Sequence, residues 1–95
     1  MDYVLQSLAT VQWGWPIEVL LELSLEDARR RIAPDMGTLE PRRGGTLLRT
    51  RADALDYMAR FLAQLDCPFR VLHPPELRDA VRRLARQLGR YARRQ

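Results

Sequence analysis

Residues 17–23 alternate: Ile17, Val19, Leu21 and Leu23 are set between Glu18, Leu20 and Glu22. A period of two predicts a strand with one buried face. The period lengthens after Ser24, whose hydroxyl is placed to accept from the Asp27 N–H and cap a helix. That helix runs to about Ile32 or Ala33, turns Leu25, Ala28 and Ile32 inward, and ends before Pro34. Residues 38–40 predict a short edge strand, because Pro41 has no N–H for a ladder. Arg42-Arg43-Gly44-Gly45 predicts a hairpin loop, and residues 46–52 the returning strand. On that strand Leu48 and Thr50 share one face, while Leu47, Arg49 and Arg51 share the other.

Asp53 is expected to cap the next helix, with Asp56 in its first turn near the positive end of the dipole. Leu55, Met58, Ala59, Leu62 and Leu65 form its inward stripe, widened by Tyr57 and Phe61. Asp66-Cys67-Pro68 breaks it, and residues 69–72 predict the last strand. His73-Pro74-Pro75 then turns the chain into a long terminal helix, with Pro75 suited to the first turn. Leu77, Val81, Leu84, Leu88 and Tyr91 repeat at 4, 3, 4, 3 and predict the apolar stripe of a basic amphipathic helix. Ahead of all this, Val4, Leu8 and Val11 predict a short helix, and Trp13-Gly14-Trp15-Pro16 a connector that no helix continues through. The two indoles either cover one end of the core or form an interface with another domain or a second copy.

The fold expected is α+β: a ferredoxin-like β-α-β-β-α-β antiparallel sheet with an extra N-terminal helix and a long C-terminal helix. Residues 1–16 are read as a linker helix and Trp-rich connector, and 17–95 as one domain. Ninety-five residues suit one modest core.

Charge changes the picture at one end only. All 16 cations are arginine, a pattern expected of a GC-rich genome. Residues 76–95 carry a net charge of +5, whereas residues 1–75 carry −1. The terminal-helix arginines are therefore a solvated face, a phosphate-binding one, or only a source of solubility. Arg29-Arg30-Arg31, balanced by Glu26 and Asp27, reads as solvated. Arg49 and Arg51 point to the same side of their strand, and Arg70 lies on another. Arg78 opens the terminal helix, where free N–H groups favour negative charge. Arg78, Arg49, Arg51 and Arg70 are the candidate anion or nucleic-acid site; alternatively Arg78 pairs with an acid and ties the helix to the sheet. Trp13 and Trp15 are the candidate interface.

Catalytic chemistry has little to build on. Cys67 and His73 are the only residues of their kinds, and a strand separates them. One Cys and one His make no zinc site, Gly44-Gly45 is no phosphate loop, and no cofactor or enzymatic activity is expected. A lone cysteine excludes an internal disulfide. With no membrane-length apolar run and no signal peptide, a cytoplasmic bacterial protein is expected.

Trp15-x-x-Glu18-Val19, Asp56-Tyr57-Met58-Ala59-Arg60-Phe61-Leu62 and Pro74-Pro75-Glu76-Leu77-Arg78 resemble the C-terminal extension (WCX) of WYL-domain, DeoR-like bacterial transcriptional regulators, over about residues 13–88. The resemblance implies a regulatory module, sensing an effector, mediating dimerisation, or both. Its implied partners are the WYL and winged helix-turn-helix domains of a parent regulator, a second copy, and a nucleic-acid or anionic effector. The chain contains neither of those other domains, so a fragment or a stand-alone remnant is expected. Against this stands an independent small-molecule, RNA or single-stranded nucleic-acid binder built on the same sheet.

Overall fold

A computed structural model describes residues 14–95. The elements are β1 (Trp15–Leu21), α1 (Leu25–Arg31), a short 3-10 turn (Pro34–Met36), β2 (Thr38–Arg42), β3 (Gly45–Ala52), α2 (Leu55–Gln64), β4 (Phe69–His73) and α3 (Pro75–Arg93). The expected N-terminal helix and Trp13 lie outside the described residues. The fold is α+β: a four-stranded antiparallel sheet in the order β2-β3-β1-β4, with three helices, the last of them long.

Alternation sets the two faces of the sheet. Ile17, Val19 and Leu21 pair with Thr50, Leu48 and Thr46 on β3, and Val19 also pairs with Val71 on β4. These side chains face the helices and, with Ala28, Ile32, Met58, Phe61, Leu62, Leu65, Leu77 and Ala80, form the core or line it. Thr46 and Thr50 keep their hydroxyls satisfied: Thr46 Oγ1 donates to the Leu23 carbonyl at 2.8 Å, and Thr50 Oγ1 donates to the Met36 carbonyl. The opposite face carries Glu18, Leu20, Glu40, Leu47, Arg49, Arg51 and Arg70. Leu47 is buried there, in register with Leu20 on one side and Glu40 on the other.

Ser24 caps α1 as expected, its Oγ accepting from the Asp27 N–H at 3.1 Å. Asp53 does not cap α2. β3 ends at Ala52 as expected, but the link to the helix takes both Asp53 and Ala54; Ala54 holds the cap position with no side-chain bond, and Asp56 sits in the first turn. β1 is shifted two residues toward the N-terminus relative to the alternation, because Glu22 and Leu23 already belong to the bend before the Ser24 cap. β2 extends to Arg42, which pairs with Gly45 across a two-residue turn. At Gly45 a Cβ would lie 1.9 Å from the Leu21 carbonyl oxygen, so the turn depends on a bare backbone there.

Arg31 departs from the solvated reading. Its Nη1 donates to the Leu65 and Asp66 carbonyls at 2.5 and 3.1 Å. An α1 side chain thus satisfies carbonyls at the end of α2, which helical bonds leave open.

The stripe on α3 is only half used. Leu77 and Ala80 are buried, Val81 and Leu84 half-buried, but Leu88 and Tyr91 are 51% and 50% exposed. The sheet and α2 support the first turns of α3, and the later turns run past them. The His73–Pro74 peptide bond at the start of this helix is cis.

Candidate functional site

The four arginines singled out from sequence do not form one site. Arg49 and Arg51 share the face away from the helices, as alternation requires. Arg49, however, lies between two carboxylates, with Nε 3.3 Å from Glu18 and Nη1 3.5 Å from Glu40. Its charge is offset on both neighbouring strands. Arg51 Nη1 donates to the Gly14 carbonyl at 3.1 Å. Arg70 is exposed on β4, in register with Leu20, so β1 lies between it and Arg49. Arg78 Nε donates to the Val71 carbonyl at 3.2 Å, tying the first turn of α3 to β4. The tie is made to backbone rather than to an acid. Trp15 begins β1 opposite Ala52 and is 39% exposed.

A hollow of about 640 Å³ beside Arg49 and Arg51 is lined also by Pro16, Glu18, Asp35, Met36 and Thr50. Two carboxylates face two guanidiniums there, so it has no net preference for an anion.

The basic cluster that the fold does assemble lies between α2 and α3. A groove of about 420 Å³ is lined by Asp56 and Arg60 from α2, and by Ala80, Arg83, Leu84, Arg86, Gln87 and Arg90 from α3. Four guanidiniums meet one carboxylate. The α3 residues at 83, 86, 87 and 90 are spaced to share a face of the helix, and Arg60 follows Asp56 by one turn on α2. Asp56 Oδ1 accepts from Arg83 Nη2 at 2.9 Å, an exposed contact from one wall to the other. Ala80 is buried and Leu84 half-buried, giving an apolar floor. Gln87 Nε2 donates to the Tyr91 hydroxyl at 2.8 Å, leaving its carbonyl oxygen available as an acceptor.

The charge of the terminal helix is legible in the sequence, but this groove is not. The spacing on α3 was legible beside the apolar stripe, which lends Leu84 to the groove. That Arg60 faces it was not, because the pairing of α2 with α3 is set by the tertiary fold.

The remaining chemistry is sparse. Burial pushes the Cys67 thiol above its ordinary pKa; the Arg31 guanidinium opposes this, while Asp66 and Glu22 add to it. Among the described residues no group of three or more His, Cys, Asp and Glu could hold a metal ion, and no helix is long and apolar enough to cross a membrane.

A family model for the WCX domain matches residues 15–89. No curated protein and no solved structure gives a significant match.

Proposed function

The chain belongs to the WCX domain family, and we propose that it serves as a regulatory module of a WYL-type bacterial transcriptional regulator, working in the cytoplasm without catalysis of its own. It acts by contacts with the regulator's WYL and winged helix-turn-helix domains, by dimerisation, and by sensing an anionic effector. Residues 17–95 are the module and residues 1–16 its linker, with Trp15 and Pro16 drawn into the first strand. The ferredoxin-like reading of its fold is supported by the β-α-β-β-α-β succession and the strand order β2-β3-β1-β4.

The family match over residues 15–89 carries this reading. Two surfaces support it. Leu88 and Tyr91 are exposed on the part of α3 that outruns the core, and Trp15 is exposed at the start of β1. Such apolar side chains suit a domain interface. The α2–α3 groove supplies positive charge for an effector. A binding role also fits the chemistry: Cys67 precedes β4 and His73 ends it, and burial makes the thiol a poor nucleophile at neutral pH.

The test is sedimentation velocity of the chain alone and mixed with a purified WYL domain from a bacterial regulator that carries a WCX region. A complex with the WYL domain is expected, weakened by the Leu88→Ala, Tyr91→Ala double variant. A chain that ignores the WYL domain, yet binds small molecules or single-stranded nucleic acid tightly alone, would establish the stand-alone binding module instead.

A further inference from the structure

We propose that the groove between α2 and α3 binds a compact organic polyanion, a molecule bearing two or more adjacent phosphates on a small body. This gives the effector of the regulatory reading a chemical class and rests on that reading only for the word effector.

The charge balance within the groove points to phosphate. Most acids near arginines are engaged elsewhere: Asp27 and Glu26 with Arg30, Glu18 and Glu40 with Arg49, Glu40 also with Arg42, and Asp79 with Arg82. In the groove Asp56 engages Arg83. Among the described residues, no acid lies within ion-pair distance of Arg60, Arg86 or Arg90. Arg86 and Arg90 are one turn apart, about 6 Å along the helix axis, and Arg60 belongs to the facing wall. Three planar forks, none occupied by a carboxylate, suit oxygens spread over more than one phosphate. The Arg83–Asp56 pair links the two walls at their exposed rim and leaves the groove's net charge positive.

Size and floor favour a small molecule over a strand. About 420 Å³ is the volume of a small-ligand site. Ala80 and Leu84 offer apolar surface for the ligand's body, and the Gln87 carbonyl offers one acceptor for a hydroxyl or amino group. Proteins that grip single strands use a continuous basic track with aromatic platforms for the bases. No aromatic side chain lines this groove.

Isothermal titration of the full chain at constant ionic strength tests the proposal, with orthophosphate, diphosphate, ATP and a short oligothymidylate as probes. Diphosphate and ATP are expected to saturate a single site, with ATP at least about tenfold tighter than orthophosphate. The Arg86→Ala, Arg90→Ala variant should weaken ATP binding by about tenfold or more, which is about 1.4 kcal/mol. The Arg29→Ala, Arg43→Ala variant removes the same charge outside the groove and should change ATP binding by less than about twofold, the scale of screened surface charge. All four side chains are exposed, and circular dichroism verifies that both variants fold. Equal losses in the two variants, orthophosphate binding as tightly as ATP, or no saturation by ATP would overturn the site. Tighter binding of oligothymidylate than of ATP would replace the compact ligand with a strand. A failed titration leaves the complex with a WYL domain unaffected, so the two readings fall separately.

Discussion

Leu77→Ala and Leu88→Ala remove the same three carbons from the same helix and should behave oppositely. Leu77 is 0% exposed in the core, in the first turn of α3, while Leu88 is 51% exposed in the stretch that outruns the core. Withdrawing three buried carbons costs about 2.4 kcal/mol in transfer free energy alone. The cavity left among β4, α2 and the sheet raises the expected loss to about 3–4 kcal/mol. A domain of this length has roughly 5–14 kcal/mol of stability in total, so Leu77→Ala removes a large share of it. For so small a domain the melting temperature should fall by roughly 12–30 °C. Leu88→Ala loses little buried area and gains slightly in helix propensity, so its change should stay within about 0.5 kcal/mol. Urea unfolding followed by far-UV circular dichroism measures both, and the slope should be unchanged in each. If Leu88→Ala destabilises the isolated chain as much as Leu77→Ala, the distal half of α3 is packed and the division of the stripe is wrong.

Gly45→Ala should destabilise by well over about 1 kcal/mol, since φ is 151° and the new Cβ would meet the Leu21 carbonyl at 1.9 Å. Gly89→Ala should stabilise by roughly 0.5–1 kcal/mol, because the nearest atom to its new Cβ is 3.9 Å away in a helix interior; thermal melts of the two should shift in opposite directions. Asp56→Asn removes the groove's carboxylate, so ATP affinity in the titration above should rise several-fold while stability drops by roughly 0.3–1 kcal/mol with the loss of a favourable N-terminal charge; an unchanged or weaker affinity would count against the electrostatic account of the groove. Cys67 holds its proton to higher pH in the folded chain than in the unfolded one. Its contribution to stability is therefore fully present below the ordinary thiol range, about pH 8.5, and is lost as pH rises through the folded value. At neutral pH the thiol should react with a disulfide reagent more slowly than in urea, and equal rates would refute the burial argument.

Local chemistry in the sequence determined the kind and order of the described elements. Alternation from Ile17 to Leu21, the Ser24 cap, Pro34 and the Asp66-Cys67-Pro68 break each act within a few residues of themselves, so each was legible without a fold. The buried faces followed too, because a period of two or 3.6 assigns every side chain of an element to one side. Asp53 is not the cap because the link from Ala52 to Leu55 takes one residue more than the capping pattern implies, a backbone path that residue type alone does not mark. Arg49 lost its candidacy to Glu18 and Glu40, which belong to two other strands and reach it only through register. Arg31 and Arg78 engage carbonyls 34 and 7 residues away, contacts that periodicity cannot show. The stripe of α3 was legible in its spacing, but that burial fades after Leu84 was not, since periodicity says which face is apolar but not how far a neighbouring surface extends to cover it. The groove is the clearest case: its arginines were visible one helix at a time, and only the packing of α2 against α3 gathered them.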